Sequence, residues 1–169
     1  MKIIRISSEN LAECHRINQE NTPEVGSRTL EGLQNLLENS DFSLCAVVDN
    51  EVVGFVICFQ DTETTNSYMG DIEHKNFNEI SQRVDDFLYI DRIAVDKNYR
   101  KKSIGSKLYD EVINFAEMNN ISYLTAEINL FPTKNTPSFN FHEKFDFTEL
   151  DTVKYSEDYE VSLQVRINS

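Results

Sequence analysis

The chain has 169 residues, with 16 Lys and Arg against 29 Asp and Glu, a net charge of −13 at pH 7. That length suits a single domain spanning 1–169 with a full core of its own, and 40% hydrophobic with 27% charged residues excludes a disordered chain. The acidity excludes a general binder of nucleic acid or of anionic membranes, whose phosphates are held by Lys and Arg; it suits a cationic substrate or serves only solubility.

Met1 to Asn10 contains no apolar core segment, so no signal peptide is expected. The longest apolar run, Val52 to Phe59, is far short of the ~20 residues that span a bilayer. The expected compartment is the cytoplasm. Cys14, Cys45 and Cys58 are scattered and odd in number, and fit neither a disulfide framework nor a CxxC metal site. No metal is expected, and each cysteine reads as a small buried hydrophobe.

In chain order, Lys2 to Ile6 reads as a first strand. Ser8 offers an N-cap for a helix through Leu11, Cys14 and Ile17. Thr22-Pro23 interrupts it, and Leu30, Leu33, Leu36 and Leu37 mark a second helix by their spacing. Ser43 to Val48 and Glu51 to Gln60 form a hairpin around Asp49-Asn50. Asp61 to Val84 is a long polar connection with a short helix between Ile72 and Arg83; connections of this length serve as lids or are disordered. Phe87 to Val95 is a central strand buried on both faces. A basic turn precedes an amphipathic helix carrying Ile104, Leu108, Val112, Phe115 and Ala116, which stops at Asn119-Asn120. Ile121 to Leu130 is a strand, Ser138 to Lys144 a short helix, and the tail alternates Tyr159, Val161, Leu163, Val165 and Ile167 with polar residues. Such alternation predicts an antiparallel strand with one wet face. The order β-α-α-β-β-(lid)-β-α-β-α-β-β gives an α/β chain with a mixed sheet and helices on its faces.

The turn Arg100-Lys101-Lys102-Ser103-Ile104-Gly105-Ser106 carries the strongest chemical signal. It joins a buried strand to a helix, whose first N–H groups and dipole form an anion site. Small residues at 103, 105 and 106 let a phosphate approach the backbone. Lys97, Arg100, Lys101, Lys102 and Lys107 place five of the chain's 16 basic residues within this window, with no acid among positions 97 to 107.

At these residues the sequence resembles the GNAT superfamily of acyl-CoA-dependent N-acetyltransferases. Arg100 to Gly105 is similar to the family's Q/R-x-x-G-x-G/A phosphate loop, with Ser103 in place of its first glycine. If that position needs a positive φ, serine is strained there. Asn135-Thr136-Pro137-Ser138, followed by Phe141-His142-Glu143-Lys144-Phe145-Asp146-Phe147, resembles a second family block. Asp146 stands at its usual glycine, where left-handed geometry is common after a helix. Phe87 to Val95 and Glu127 to Pro132 are also similar to a bacterial subgroup of predicted acetyltransferases.

The resemblance implies the GNAT fold: a central mixed, mostly antiparallel, splayed sheet with helices on both faces. It implies acetyl-CoA as acyl donor and a small-molecule or peptide amine as acceptor, and it admits a homodimer. Ile93, Ala94 and Val95 would pair with the pantetheine arm. Amides from Arg100, Lys101, Lys102, Ser103, Ile104, Gly105 and Ser106 would hold the pyrophosphate. Asn135 and Ser138 would line the pantetheine and adenosine side, and Phe141 either joins them or only packs. Glu127 occupies the position of a catalytic glutamate that deprotonates the amine through water, or is a strand carboxylate bonded to nearby backbone. Asp91 is the second candidate base, or a partner for Arg92 in a strand bulge. His142 stands where many members have a tyrosine that protonates the departing thiolate; it either does so or only touches the cofactor. Residues 61–84 would shape the acceptor site as a lid, with Tyr68 and Phe77 closing over the acceptor or tucking onto the sheet. A degenerate acyl-CoA-binding module without turnover is the alternative.

Overall fold

The computed structural model describes residues 1–168. Along the chain run β1 (Lys2–Arg5), α1 (Leu11–Glu20), α2 (Leu30–Asn39), β2 (Phe42–Val48), β3 (Glu51–Gln60), α3 (Glu63–Asp71) and α4 (Lys75–Ser81). They are followed by β4 (Phe87–Val95), a 3₁₀ turn (Lys97–Tyr99), α5 (Ile104–Met118), β5 (Tyr123–Phe131), α6 (Thr136–Glu143), β6 (Thr148–Ser156) and β7 (Tyr159–Ile167). The seven strands form one sheet in the order β1-β2-β3-β4-β5-β7-β6. Strands β4 and β5 are parallel, and β1–β2, β2–β3, β5–β7 and β6–β7 are antiparallel. This is the mixed α/β sheet that the element order anticipates, with the mostly antiparallel pairing that the family resemblance implies.

The backbone divides into two compact units, residues 1–60 with 90–115, and residues 61–89 with the chain from Ala116 onward. The core of the first unit is built on the β2–β3 hairpin, whose Val52 to Phe59 run is buried throughout. Asp49 and Asn50 both take positive φ, 50° and 67°, as a tight hairpin turn requires. Helix α1 buries Cys14 and Ile17, α2 buries Leu33 and Leu36, and α5 buries Ile104, Leu108 and Val112. Thr29 caps α2 through the Gly32 N–H at 3.0 Å. The expected cap at Ser8 is not formed. Asn10 precedes α1, and its carboxamide turns back to accept from the Ser7 N–H and hydroxyl at 3.0 and 3.1 Å.

In the second unit the long connection folds into two helices rather than one short helix within a polar loop. Thr62 caps α3 and His74 caps α4, accepting from Thr65 N–H at 3.1 Å and Phe77 N–H at 3.2 Å. These helices have nine and seven residues, too few turns for a clear apolar period. Met69, Phe77 and Ile80 anchor them, and the Phe77 ring meets Phe87 and Tyr89 at 5.3 and 5.7 Å. Phe77 is therefore tucked onto the sheet. Arg83 ties the end of this segment to Asp151 on β6 at 2.8 Å.

The tail is antiparallel as expected, but β7 has no wet face over Ser162 and Gln164, which are 0% and 4% exposed. Gln164 donates to the Ser162 hydroxyl at 2.7 Å, and that hydroxyl donates to Glu149 at 2.6 Å. Lying between β5 and β6, β7 keeps polar residues indoors by bonding them to one another.

Candidate functional site

In the first unit, β4 runs into the basic turn through Asp96. The Asp96 N–H donates to Val53 O at 2.8 Å, and its carboxylate accepts from Asn98 N–H at 2.8 Å and pairs with Arg16 at 2.9 Å. Burial works to raise this carboxyl, and the Asn98 amide and Arg16 outweigh it, leaving it below its ordinary value. Beyond it, Lys101 and Ser103 both adopt φ of 63°, the left-handed region. Ser103 thus takes the conformation in which a glycine would be unstrained, and Lys101 does so without any warning from its residue type. Such turns point successive N–H groups into one concavity. The first N–H to bond back within α5 is that of Lys107, to Ser103 O at 3.1 Å, so the amides of Ile104, Gly105 and Ser106 precede the helical ladder.

Lys97, Arg100, Lys101, Lys102 and Lys107 are all exposed along this turn. Gly54 makes room behind it: a Cβ there would sit 3.0 Å from Ile104 Cγ2 and 3.2 Å from Ala94 O. The turn is fastened to α1 by residues the sequence did not single out. Asn21 donates to Val95 O at 3.2 Å and accepts from Arg100 at 3.0 Å, and Glu20 accepts from Lys97 N–H at 3.2 Å. Ile93 and Val95 are half-buried and Ala94 is buried. Asp91 is ion-paired with Arg92 at 2.6 Å, both side chains almost fully buried. Arg92 also donates to Asn18 Oδ1 at 2.8 Å and Gly26 O at 3.0 Å, which pins the α1–α2 loop to β4.

In the second unit, Glu127 is half-buried on β5 and accepts a 2.6 Å hydrogen bond from the Tyr89 hydroxyl. These residues are 38 apart in sequence, and no local pattern announces the pair. The parallel register sets Tyr89 opposite Thr125, so Tyr89 shares a face with Thr125 and Glu127. Asn135 caps α6, its Oδ1 accepting from Ser138 N–H at 3.3 Å. Ser138 is half-buried, with its hydroxyl 3.3 Å from His142 Nδ1. His142 is buried. Its Nδ1 lies 2.8 Å from Ser138 O, and its ring stands edge-on to Phe147 at 5.0 Å and Phe141 at 5.5 Å. Burial lowers its pKa, outweighing the opposite effect of the Ser138 carbonyl. Phe141 packs on Phe145 at 5.2 Å, and Asp146 takes φ of 63° as its position after α6 suggested. Among the described residues no group of three or more His, Cys, Asp or Glu is placed to hold a metal, and no helix is long and apolar enough to cross a membrane.

A model of the acetyltransferase (GNAT) family matches residues 11–147. No curated protein matches the chain. Among solved structures, Ard1 from Thermoplasma volcanium superposes with a TM-score of 0.77 at 20% identity, over 99% of this chain and 97% of that one. The ribosomal-protein-S18-alanine N-acetyltransferase from Escherichia coli gives 0.73 at 14% identity, over 99% and 94%. Arabidopsis thaliana Naa50, in complex with the bisubstrate analogue CoA-Ac-MVNAL, gives 0.70 at 18% identity, over 98% and 97%. At these identities the likeness shows the fold.

Proposed function

Because the chain belongs to the GNAT acetyltransferase family, we propose that it moves the acetyl group of acetyl-CoA to a primary amine, by direct attack with donor and acceptor bound together. The observation that carries this reading is the left-handed Lys101 and Ser103 leading into α5 under five exposed cations, in a chain of charge −13. Amides at a helix N-terminus ringed by cations fit a pyrophosphate. Acetyl-CoA supplies an activated thioester when bound. Ile104, Gly105 and Ser106 would hold its pyrophosphate by backbone N–H, with Arg100, Lys101 and Lys102 adding charge and Ser103 setting the turn. Ile93, Ala94 and Val95 would meet the pantetheine arm, and an N–H among them would polarise the thioester carbonyl. Asn135, Ser138 and Phe141 are further proposed cofactor contacts.

The amine must lose a proton before it attacks, and Glu127 is the proposed base, directly or through water. Its hydrogen bond from Tyr89 fixes one carboxylate oxygen. Asp91 is the weaker choice, since its carboxylate is committed to Arg92 in a buried pair. His142 is assigned to packing α6 rather than to protonating the thiolate. A carbonyl only accepts, so His142 Nδ1 carries the proton donated to Ser138 O. Burial favours the neutral ring, and a neutral ring with its proton on Nδ1 has none on Nε2 to give.

Thermal unfolding with and without acetyl-CoA tests the donor site. A ligand at 100 times its Kd stabilises by about 2.7 kcal/mol, which raises the midpoint of a chain this size by about 5–10 °C. Gly105→Glu is expected to abolish that shift. A CoA-release assay over a panel of amines tests turnover. A thermal shift with no turnover on any amine overturns the enzyme reading in favour of an acyl-CoA-sensing module, and no shift overturns both.

A further inference from the structure

We propose that Tyr89 is a positioning residue for the base: its hydroxyl holds the Glu127 carboxylate in one orientation, and it acts on the rate only through Glu127. This rests on the acetyl-transfer reading and adds a residue to its machinery.

The strand register creates the need for such a residue. Parallel pairing sets Phe87 opposite Tyr123, Leu88 opposite Leu124 and Tyr89 opposite Thr125, and the pairing ends there. Glu127 lies two residues further along β5, roughly 6–7 Å at the usual rise. Its backbone is fixed by the ladder to β7, opposite Leu163. The carboxylate stands at the end of three rotatable bonds, which the ladder leaves loose. The Tyr89 phenol spans the distance along their shared face and donates to Glu127 Oε2 at 2.6 Å. That length is usual for a hydroxyl on an ionised carboxylate, about 2.5–2.7 Å.

Tyr89 is itself held. It is 0% exposed, and two rings stand edge-on to it: His74 at 5.5 Å and 85°, and Phe77 at 5.7 Å and 78°. Those two are joined by the cap of α4, in which Phe77 N–H donates to His74 Nδ1 at 3.2 Å. The start of α4 therefore backs the base through Tyr89. A buried tyrosine needs a partner for its hydroxyl, whereas phenylalanine fills nearly the same volume without that need. Here the partner is the half-buried carboxylate that the acetyl-transfer reading requires to be aimed. In the reaction the amine's proton passes to Glu127, and Tyr89 keeps its own.

The test is a double-mutant cycle in the full chain, read as kcat and KM with n-butylamine or a peptide led by alanine, whichever turns over faster. Tyr89→Phe removes one oxygen and is expected to lower kcat about 10- to 100-fold, the worth of a hydrogen bond to a charged group. KM and the acetyl-CoA thermal shift are expected to stay as in the parent. Adding Tyr89→Phe to Glu127→Gln should change kcat by less than about twofold, because a residue acting through Glu127 has nothing left to position. Losses that multiply would make Tyr89 act on the reaction directly, and an unchanged kcat in Tyr89→Phe beside a crippled Glu127→Gln would make the bond merely structural; either overturns the proposal. Full activity in Glu127→Gln would instead overturn the base, and the role of Tyr89 with it. The chain has no tryptophan, so its tyrosine ultraviolet band reports the bond even where Tyr89→Phe does not fold. Glu127→Gln is expected to move that band to shorter wavelength as the carboxylate acceptor is lost, and an unmoved band overturns the proposal.

Discussion

The basic turn and the Glu127 face are built on opposite principles. The turn is made of backbone, two left-handed residues and the first amides of α5, with exposed cations along it. The Glu127 face is made of side chains: the Tyr89 hydroxyl, brought from β4, donates to the Glu127 carboxylate on β5. A site made of amides tolerates changes of side chain but not the filling of its concavity. One made of side chains loses function with a single atom and keeps its fold.

The sharpest way to break this contrast is Glu127→Gln. It is expected to lower kcat by about 10²–10⁴, the usual worth of a positioned base, while leaving the acetyl-CoA thermal shift intact. Loss of both together would show that the two regions are not separable in this way.

Arg92→Met attacks the first unit instead, where Arg92 ties β4 to α1 and the loop after it. Removing one member of a buried ion pair costs about 3–5 kcal/mol, so the unfolding midpoint should fall by on the order of 10 °C. Adding Asp91→Asn should recover part of that loss, because the uncompensated charge is then gone.

Acid should act on the second unit through His142. Burial depresses its pKa, so its contribution to stability is complete above the unfolded value of about 6.5 and is lost as pH falls through the lower folded value. Unfolding curves between pH 7.5 and 5 should show the midpoint falling in the parent and falling less in His142→Phe; identical slopes would refute this. The smallest effect is Ser103→Gly. A left-handed L-residue costs about 1–2 kcal/mol, part of which glycine returns through strain and surrenders through unfolded-chain entropy. A midpoint rise of a few degrees, with acetyl-CoA binding kept, would mark the turn as backbone-built.

The hairpin at Asp49-Asn50, the amphipathic α5 and the left-handed Asp146 after α6 were readable because each is a local property, whereas the left-handed Ser103 was raised only as a condition, from the glycine that stands there in the resembled loop. The stop of α5 is of the same kind. Asn120 takes φ of 54°, and Ile121 N–H returns to Ala116 O at 2.9 Å, closing the helix as Asn-containing caps do.

Other features needed partners far along the chain. Nothing near Tyr89 marks it as a donor to Glu127, and nothing near Asn21 marks it as the tie between Val95 and Arg100. The alternation over Tyr159 to Ile167 identified a strand but not its surroundings, since a polar residue at a strand position is wet or bonded according to what lies beside it. The sequence by itself therefore determined most of the strands and helices, the backbone-built basic turn and the family, because periodicity, capping and backbone preference act over a few residues. Only the tertiary structure decided how Glu127 is held and what surrounds it, because strand register joins residues whose separation along the chain leaves no local trace.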